Sequence, residues 1–192
     1  MTLQVESVDL RDLLRGCLDV ARALAAQREL TLALVLDGDL GRIRTDKRLL
    51  RHAVLNLLSN AIKFTPDGGK IQLAARRKGP WTQIAVRDTG MGIDKGEAQR
   101  IFSAFYQVDA SSRRQKGGLG LGLAIASRFV ELLGGGIRLH SRVGVGSTFT
   151  LHVPVDTDPS KADEPFAVSS TVPAEFGGDL DPMPPGPGPS SD

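Results

Sequence analysis

The sequence predicts an α/β (α+β) two-layer sandwich, with helices packed on one face of a mixed β-sheet. Three observations point there. Long stretches carry an apolar stripe at helical spacing, shorter ones alternate apolar with polar residues, and short turns rich in Gly, Pro and Asp join them. Adjacent alternating stretches separated by such turns read as hairpins, so helices and strands share one domain.

Leu10, Leu13, Leu14, Cys17, Leu18, Ala21, Leu24 and Ala25 recur at three- and four-residue spacing after Asp9, predicting an amphipathic helix of about 16 residues. Thr31 to Leu36 reads as a strand. A second helix starts near Asp46 and runs to Phe64, where Thr65-Pro66 and Asp67-Gly68-Gly69 stop it, because a proline pushes the preceding residue out of helical conformation. Ile71, Leu73 and Ala75 alternate in one strand, and Ile84, Val86 and Asp88 in the next. Asp94 with Glu97 predicts a short capped helix. Tyr106 to Gly118 is a polar, basic loop, and a third helix spans about Leu119 to Leu133 before Gly134-Gly135-Gly136. Ile137 and Leu139, then Phe149, Leu151 and Val153, form two closing strands joined by a Gly-rich turn.

Charge divides the 192 residues into two materials. Residues 1–155 hold 23 Lys/Arg against 14 Asp/Glu, net +9, and residues 156–192 hold one Lys against eight acids, net −7. Eight of the eleven prolines also follow residue 155. The expectation is a folded domain over 1–155 and a disordered acidic tail over 156–192. A lone cysteine excludes an intramolecular disulfide framework and favours a reducing, cytoplasmic setting. No apolar run approaches the roughly 20 residues that span a bilayer, and no N-terminal leader pattern is present, so a soluble chain without membrane contact is expected. One Trp, one Tyr and scattered basic residues argue against nucleic acid as a partner.

Three features carry chemistry. With Asn56 at zero on the second helix, Asn60 falls at about 40°, Lys63 at about −20° and His52 at about −40°, opposite the apolar side. Two amides and an ammonium on one strip suit a hard cation such as Mg²⁺ and phosphate oxygens, although a solvated helix face is the plainer alternative. Asp88 shares the parity of Ile84 and Val86, which places a carboxylate on their buried face. A buried charge needs a partner, and a carboxylate there suits an exocyclic amine such as that of adenine, with Gly90 and Gly92 letting backbone approach a flat ligand. A turn aspartate at a strand end is the alternative. Third, Lys116-Gly117-Gly118-Leu119-Gly120-Leu121-Gly122-Leu123 combines glycines with a helix N-terminus, which favours phosphate, and follows Arg113 and Arg114. The dinucleotide pattern G-x-G-x-x-G fails at Leu123 and Ile125, and the P-loop pattern fails at Phe64 and Ile71.

Five segments then occur in order: Asn56 to Phe64 (NLLSNAIKF), Asp88 to Ile93 (DTGMGI), Ile101 to Phe105 (IFSAF), Gly118 to Leu123 (GLGLGL) and Gly144 to Phe149 (GVGSTF). Together they resemble the N, G1, F, G2 and G3 boxes of the catalytic ATP-binding domain of two-component sensor histidine kinases, a superfamily shared with gyrase, chaperone and mismatch-repair ATPases. The resemblance covers roughly residues 5 to 155. It implies a Bergerat-type ATP-binding fold with adenine between sheet and helices and phosphates under a lid. Asp88 would accept from the adenine amine, with Gly90, Gly92 and Ile93 shaping the pocket. Asn60 would ligate Mg²⁺ with Asn56 assisting, and Lys63 would reach phosphate. Gly118, Gly120 and Gly122, with Leu119 and Leu121 between them, would let the lid close, and Phe102 and Phe105 would anchor its start. Arg113, Arg114 and Lys116 are γ-phosphate candidates, and Thr148 would lie near the base.

The resemblance also marks departures. Many relatives have Thr where Leu119 stands. The phosphoacceptor histidine of such kinases lies on a dimerising helical hairpin, and none of His52, His140 or His152 has its surroundings. His140 and His152 are out of phase with Leu139 and Leu151, so exposed strand positions are expected for them, and His52 takes a place often held by Gln. Residues 1–14 resemble the connector that follows the hairpin. Asn56 stands where hydrolysing relatives carry Glu, which predicts slow ATP hydrolysis. The implied activity is γ-phosphoryl transfer from Mg²⁺-ATP to a histidine on a hairpin outside this chain, for a downstream response-regulator receiver, with this piece a monomer. A nucleotide-responsive interaction module without catalysis and an anti-sigma-type serine kinase are the competing readings.

Overall fold

The computed structural model describes residues 2–98, 100–102, 121–158 and 160. Strand β1 (Val5–Asp9) leads into helix α1 (Leu10–Leu24), followed by β2 (Thr31–Asp37), β3 (Arg42–Asp46) and helix α2 (Lys47–Phe64). The hairpin β4 (Lys70–Lys78) and β5 (Trp81–Asp88), a 3₁₀ turn over Arg100–Phe102, helix α3 (Gly122–Leu132) and the hairpin β6 (Gly136–Arg142) and β7 (Gly146–Pro154) complete it.

Five strands form one sheet in the order β2-β4-β5-β7-β6, with β2 parallel to β4 and the other neighbours antiparallel. The mixed sheet and its helical layer confirm the predicted fold class. Register carries one row from β4 to β6, Ile71↔Asp88↔Ser147↔Ser141, on the face shared by Leu73, Ile84, Val86, Phe149 and Leu151. Those apolar residues pack with Leu50, Ala53, Leu57 and Leu58 of α2 and with Ala126 and Val130 of α3 in one core. Leu50, Leu57, Leu73 and Ile84 are at most 1% exposed, and each such burial contributes about 2 kcal/mol.

The helix ends follow their capping residues. Asp9 caps α1 by accepting the Asp12 N–H at 3.1 Å. Asp46, 1% exposed, caps α2 by accepting from the N–H groups of Arg48 and Leu49, and it also accepts from Gln4 N–H at 2.8 Å. Burial alone would raise its pKa, but the Arg48 guanidinium and these three N–H donors hold the carboxyl below its ordinary value. Extended Thr65 ends α2 before Pro66, as expected. Gly134, at φ +79°, ends α3 in the left-handed conformation that its turn requires.

Four expectations change. The predicted helix after Asp94 is a single turn: Asp94 Oδ1 accepts the Gly96 N–H at 2.8 Å, its carbonyl accepts from Glu97 and Ala98, and a 3₁₀ turn follows. Residues 5–9, read as connector, form β1 and pair with β3 from Val5↔Asp46 to Asp9↔Arg42. Thr157, beyond the boundary expected at 155, is buried and its N–H donates to Arg44 O at 2.8 Å, next to an Arg44–Asp156 bridge. Leu24 is 60% exposed and drops out of the apolar stripe of α1, whereas Ala25 and Cys17 on that stripe are buried, and burial pushes the Cys17 thiol up to about 11. Residues 161–192, expected to be a disordered tail, lie outside the described residues.

Candidate functional site

Asp88 closes β5 at 7% exposure, facing the helical layer. Its Oδ1 accepts the Gly90 N–H at 2.8 Å and the Ser147 N–H at 3.3 Å. Desolvation raises its pKa above the ordinary carboxylate value, and those two backbone donors pull it back in part. The carboxylate is thus held in place through one oxygen, and Oδ2 takes no part in either bond.

Backbone packs tightly around it. A Cβ at Gly90 would sit 2.7 Å from both Asp88 Oδ1 and the carbonyl of Phe64. Gly92 has φ +71°, and a Cβ there would strike the Arg142 carbonyl. These two glycines bring the loop after β5 against the end of α2 on one side and the β6–β7 turn on the other. The Gly144 N–H donates to Met91 O at 2.7 Å, and the Ile93 N–H donates to Ser141 Oγ at 2.8 Å. Half-buried Ile93 packs against the core beside them.

Asn56 and Asn60 are half-buried on α2, one turn apart. A Cβ at Gly122 would lie 3.6 Å from Asn60 Nδ2 and 3.8 Å from Asn56 Oδ1, so the first turn of α3 rests on the amide pair. Leu121 occupies the N-cap of α3 without a side-chain cap, since leucine has no acceptor, so its side chain satisfies none of the first N–H groups of the helix. Lys63 is half-buried, its Nζ 4.9 Å from the centroid of the Phe64 ring. Side-chain amide oxygens beside an uncapped helix start form a donor set that fits a hard divalent cation with phosphate oxygens. Phe102 packs edge-on against Phe149 at 6.3 Å, which anchors the chain just ahead of residue 103. Phe105, Arg113, Arg114, Lys116, Gly118, Leu119 and Gly120 lie outside the described residues.

Two sequence expectations are corrected at the sheet. Thr148 pairs with Arg87 and His140, so it projects from the sheet face opposite Asp88; Ser147, one residue earlier, stands directly across from the carboxylate. His152 is 3% exposed rather than solvated. It sits in the row Arg76↔Gln83↔His152, where Arg76 Nε donates to Gln83 Oε1 at 2.6 Å, and the stems of such long side chains cover an outer face that alternation alone assigns to water. Desolvation, followed by the charges of Arg138, Arg76 and Lys78, lowers its pKa to about 4. His140 and His52 are exposed as expected, with His52 6.0 Å from the Phe129 ring.

Sequence reasoning missed Ser147, Ser141 and Arg28. Arg28 closes the far end of α2: its guanidinium donates to the carbonyls of Ile62 and Thr65, the latter at 2.8 Å, and pairs with Asp67 at 2.7 Å. This fixes the helix end that carries Lys63 and Phe64. A cleft of about 420 Å³, lined in part by Ser7, Asp12, Arg42 and Arg51, shares no residue with the site.

A two-layer sandwich with a buried carboxylate at the mouth of its sheet and paired amides under a helix start has the architecture of a Bergerat-type ATPase domain. The chain belongs to the family of histidine kinase-, DNA gyrase B- and HSP90-like ATPases, whose model matches residues 45–157. It is 44% identical over 136 residues to the circadian input-output histidine kinase CikA of Synechococcus elongatus, covering 71% of this chain and 18% of CikA. With the sensor-like histidine kinase SenX3 of Mycolicibacterium smegmatis it shares 41% identity over 147 residues, covering 76% of this chain and 38% of SenX3. Full-length ShkA in complex with AMPPNP superposes with TM-score 0.73 at 32% identity, covering 80% of this chain and 32% of ShkA. The catalytic domain of histidine kinase ThkA gives TM-score 0.71 at 24% identity over 82% of this chain and 99% of its own, a likeness of fold. The chain therefore spans well under half the length of these curated kinases. Among the described residues, no helix is long and apolar enough to cross a membrane.

Proposed function

We propose that this chain binds Mg²⁺-ATP and serves as the catalytic domain that transfers the γ-phosphoryl group to a histidine on a helical hairpin outside residues 1–192, within two-component signalling. The observation that carries this reading is the burial of Asp88 on the helix side of the sheet, beside Gly90, with the Asn56–Asn60 pair under the first turn of α3. A desolvated carboxylate fixed through one oxygen offers the other as an acceptor for the exocyclic amine of adenine. Gly90 and Gly92 keep side chains off the base, and Ile93 supplies an apolar wall.

At the other end, Asn60 with Asn56 would hold the metal through amide oxygens, and Lys63 would swing from the Phe64 ring to phosphate. The bound Mg²⁺ would neutralise charge on the β- and γ-phosphate oxygens. Uncapped N–H groups at the start of α3 donate to phosphate oxygens while its dipole favours their charge. Arg113, Arg114 and Lys116 are offered as further γ-phosphate contacts, and Gly118, Gly120 and Gly122 as the pivots of a lid. Asn56 lacks the carboxylate that would take a proton from water, so hydrolysis is slow relative to transfer. Buried His152 and exposed His52 and His140 have no phosphoacceptor role, and a receiver domain would take the phosphoryl group from the hairpin.

The test is incubation of the chain with γ-labelled ATP, Mg²⁺ and a separately supplied acceptor hairpin from a related kinase. Acid-labile label on the hairpin supports the proposal. Acid-stable label would favour serine phosphorylation, and tight nucleotide binding with no transfer to any hairpin would favour a nucleotide-responsive interaction module.

A further inference from the structure

Beside Asp88, three hydroxyl and carbonyl groups meet in an arrangement whose proton directions follow from counting. Ser141 Oγ is 2.8 Å from the Ile93 N–H, 3.1 Å from the Gly146 carbonyl and 2.9 Å from Ser147 Oγ. The Ile93 N–H can only donate, and a carbonyl can only accept. Ser141 has one proton, and the contact with Gly146 O consumes it. The Ser141–Ser147 bond must therefore use the proton of Ser147. Ser147 Oγ is left with lone pairs only, 6% exposed and directly across the ladder from Asp88.

We infer that Ser141, on the edge strand β6, is a specificity-determining positioning residue: by taking the Ser147 proton it makes Ser147 an obligate acceptor, so that the base site prefers a purine with a 6-amino group over one with a 6-oxo group. The inference rests on the adenine reading of Asp88. Two acceptors on residues paired across one ladder, Asp88 Oδ2 and Ser147 Oγ, call for two donors, and the two N–H bonds of a 6-amino group supply them. A 6-oxo group turns lone pairs toward both acceptors. Were Ser147 free to rotate, its hydroxyl could donate to that oxygen and the site would tolerate it.

The same bond network ties the loop after β5 to the β6–β7 hairpin through Ile93, so a purely structural role for Ser141 is the competing outcome. The experiment separates them by a ratio. Affinities of the full chain for ATP and for inosine triphosphate, each with Mg²⁺, are measured by calorimetry for the wild type, Ser141→Ala, Ser141→Thr and Asp88→Asn. The wild type prefers ATP. Ser141→Ala narrows the ATP-to-inosine-triphosphate ratio by about fivefold, the size of one neutral hydrogen bond, and Ser141→Thr, which keeps the hydroxyl, restores it. A ratio unchanged in Ser141→Ala, with both affinities intact or lowered in proportion, overturns the inference. If Ser141→Ala does not fold, Ser147→Ala provides the second arm: it must narrow the ratio to a similar value, and an unchanged ratio overturns the inference as surely. If Asp88→Asn loses ATP while the Ser141 ratio stays fixed, only the Ser141 role falls. If the wild type binds neither nucleotide, the adenine reading falls with it.

Discussion

Replacing Asp88 by Asn separates stability from binding in opposite directions. The side chain is 7% exposed, and its Oδ1 accepts from Gly90 at 2.8 Å and Ser147 at 3.3 Å. Asparagine has the same shape, and its amide oxygen can keep both bonds. What it loses is the charge, which burial disfavours, as the raised pKa shows. The sign follows: a carboxyl whose folded pKa lies above its unfolded value costs stability once pH exceeds the unfolded pKa, and the cost is complete above the folded pKa. Asp88→Asn therefore unfolds at the wild-type temperature or above it. Binding goes the other way. A hydrogen bond to an ionised acceptor contributes about 1.5–3 kcal/mol, and asparagine would turn an N–H toward the adenine amine, so ATP affinity falls by about 10- to 150-fold. Calorimetric titration with a non-hydrolysable ATP analogue and a thermal melt of both proteins decide it. Affinity within twofold of wild type would remove the adenine role, and a melt lowered by many degrees would show that the charge supports the fold.

Three further outcomes follow from the same geometry. Asn60→Ala leaves the circular dichroism spectrum intact but raises the Mg²⁺ concentration needed for half-maximal ATP binding at least tenfold, as read by calorimetry across a Mg²⁺ series. Gly92→Ala, with φ +71° and a Cβ aimed at the Arg142 carbonyl, destabilises the chain by at least about 2 kcal/mol in urea, whereas Gly122→Ala, whose nearest neighbour is 3.6 Å away, does not. His152, with its pKa lowered to about 4 against an ordinary 6.5, costs nothing above pH 7. As pH falls from 6.5 toward 4 the unfolded chain takes up a proton that the folded chain refuses, and up to about 3 kcal/mol is lost; His152→Gln flattens that slope in urea midpoints measured between pH 7.5 and 4.5.

The parts of the fold legible in the sequence are those where one periodicity runs uninterrupted. α2 is readable from its cap at Asp46 to Pro66, and β4, β5, β6 and β7 from the alternation of their large apolar residues, which pack into one core with the helices. β1 and β3 were hidden for the opposite reason. Arg42, Ile43, Arg44 and Thr45 show one large apolar residue among charges, and their pairing with Val5 to Asp9 is a long-range event without a local signal. At the site, Asp88 was found because a charge in phase with Ile84 and Val86 violates the pattern, and the Asn56–Asn60 strip because two amides are unexpected at helical spacing.

The expectation for His152 assumes that one strand face is dry and the other wet, whereas that for Thr148 comes from the family resemblance and runs against its alternation with Phe149. In β7 both faces are covered, by helices on one side and by Arg and Gln stems on the other. Alternation then loses its contrast in exposure, as the burial of Thr150 and His152 shows. Ser141 had no sequence signal at all, since a serine on an edge strand is ordinary until its three partners are known.

The most direct measurement is a crystal structure of the chain with Mg²⁺ and a non-hydrolysable ATP analogue. The exocyclic nitrogen should stand about 2.8–3.0 Å from Asp88 Oδ2, with the metal bound by the Asn60 amide oxygen. A base stacked elsewhere, with Asp88 still held only by Gly90 and Ser147, would contradict the account.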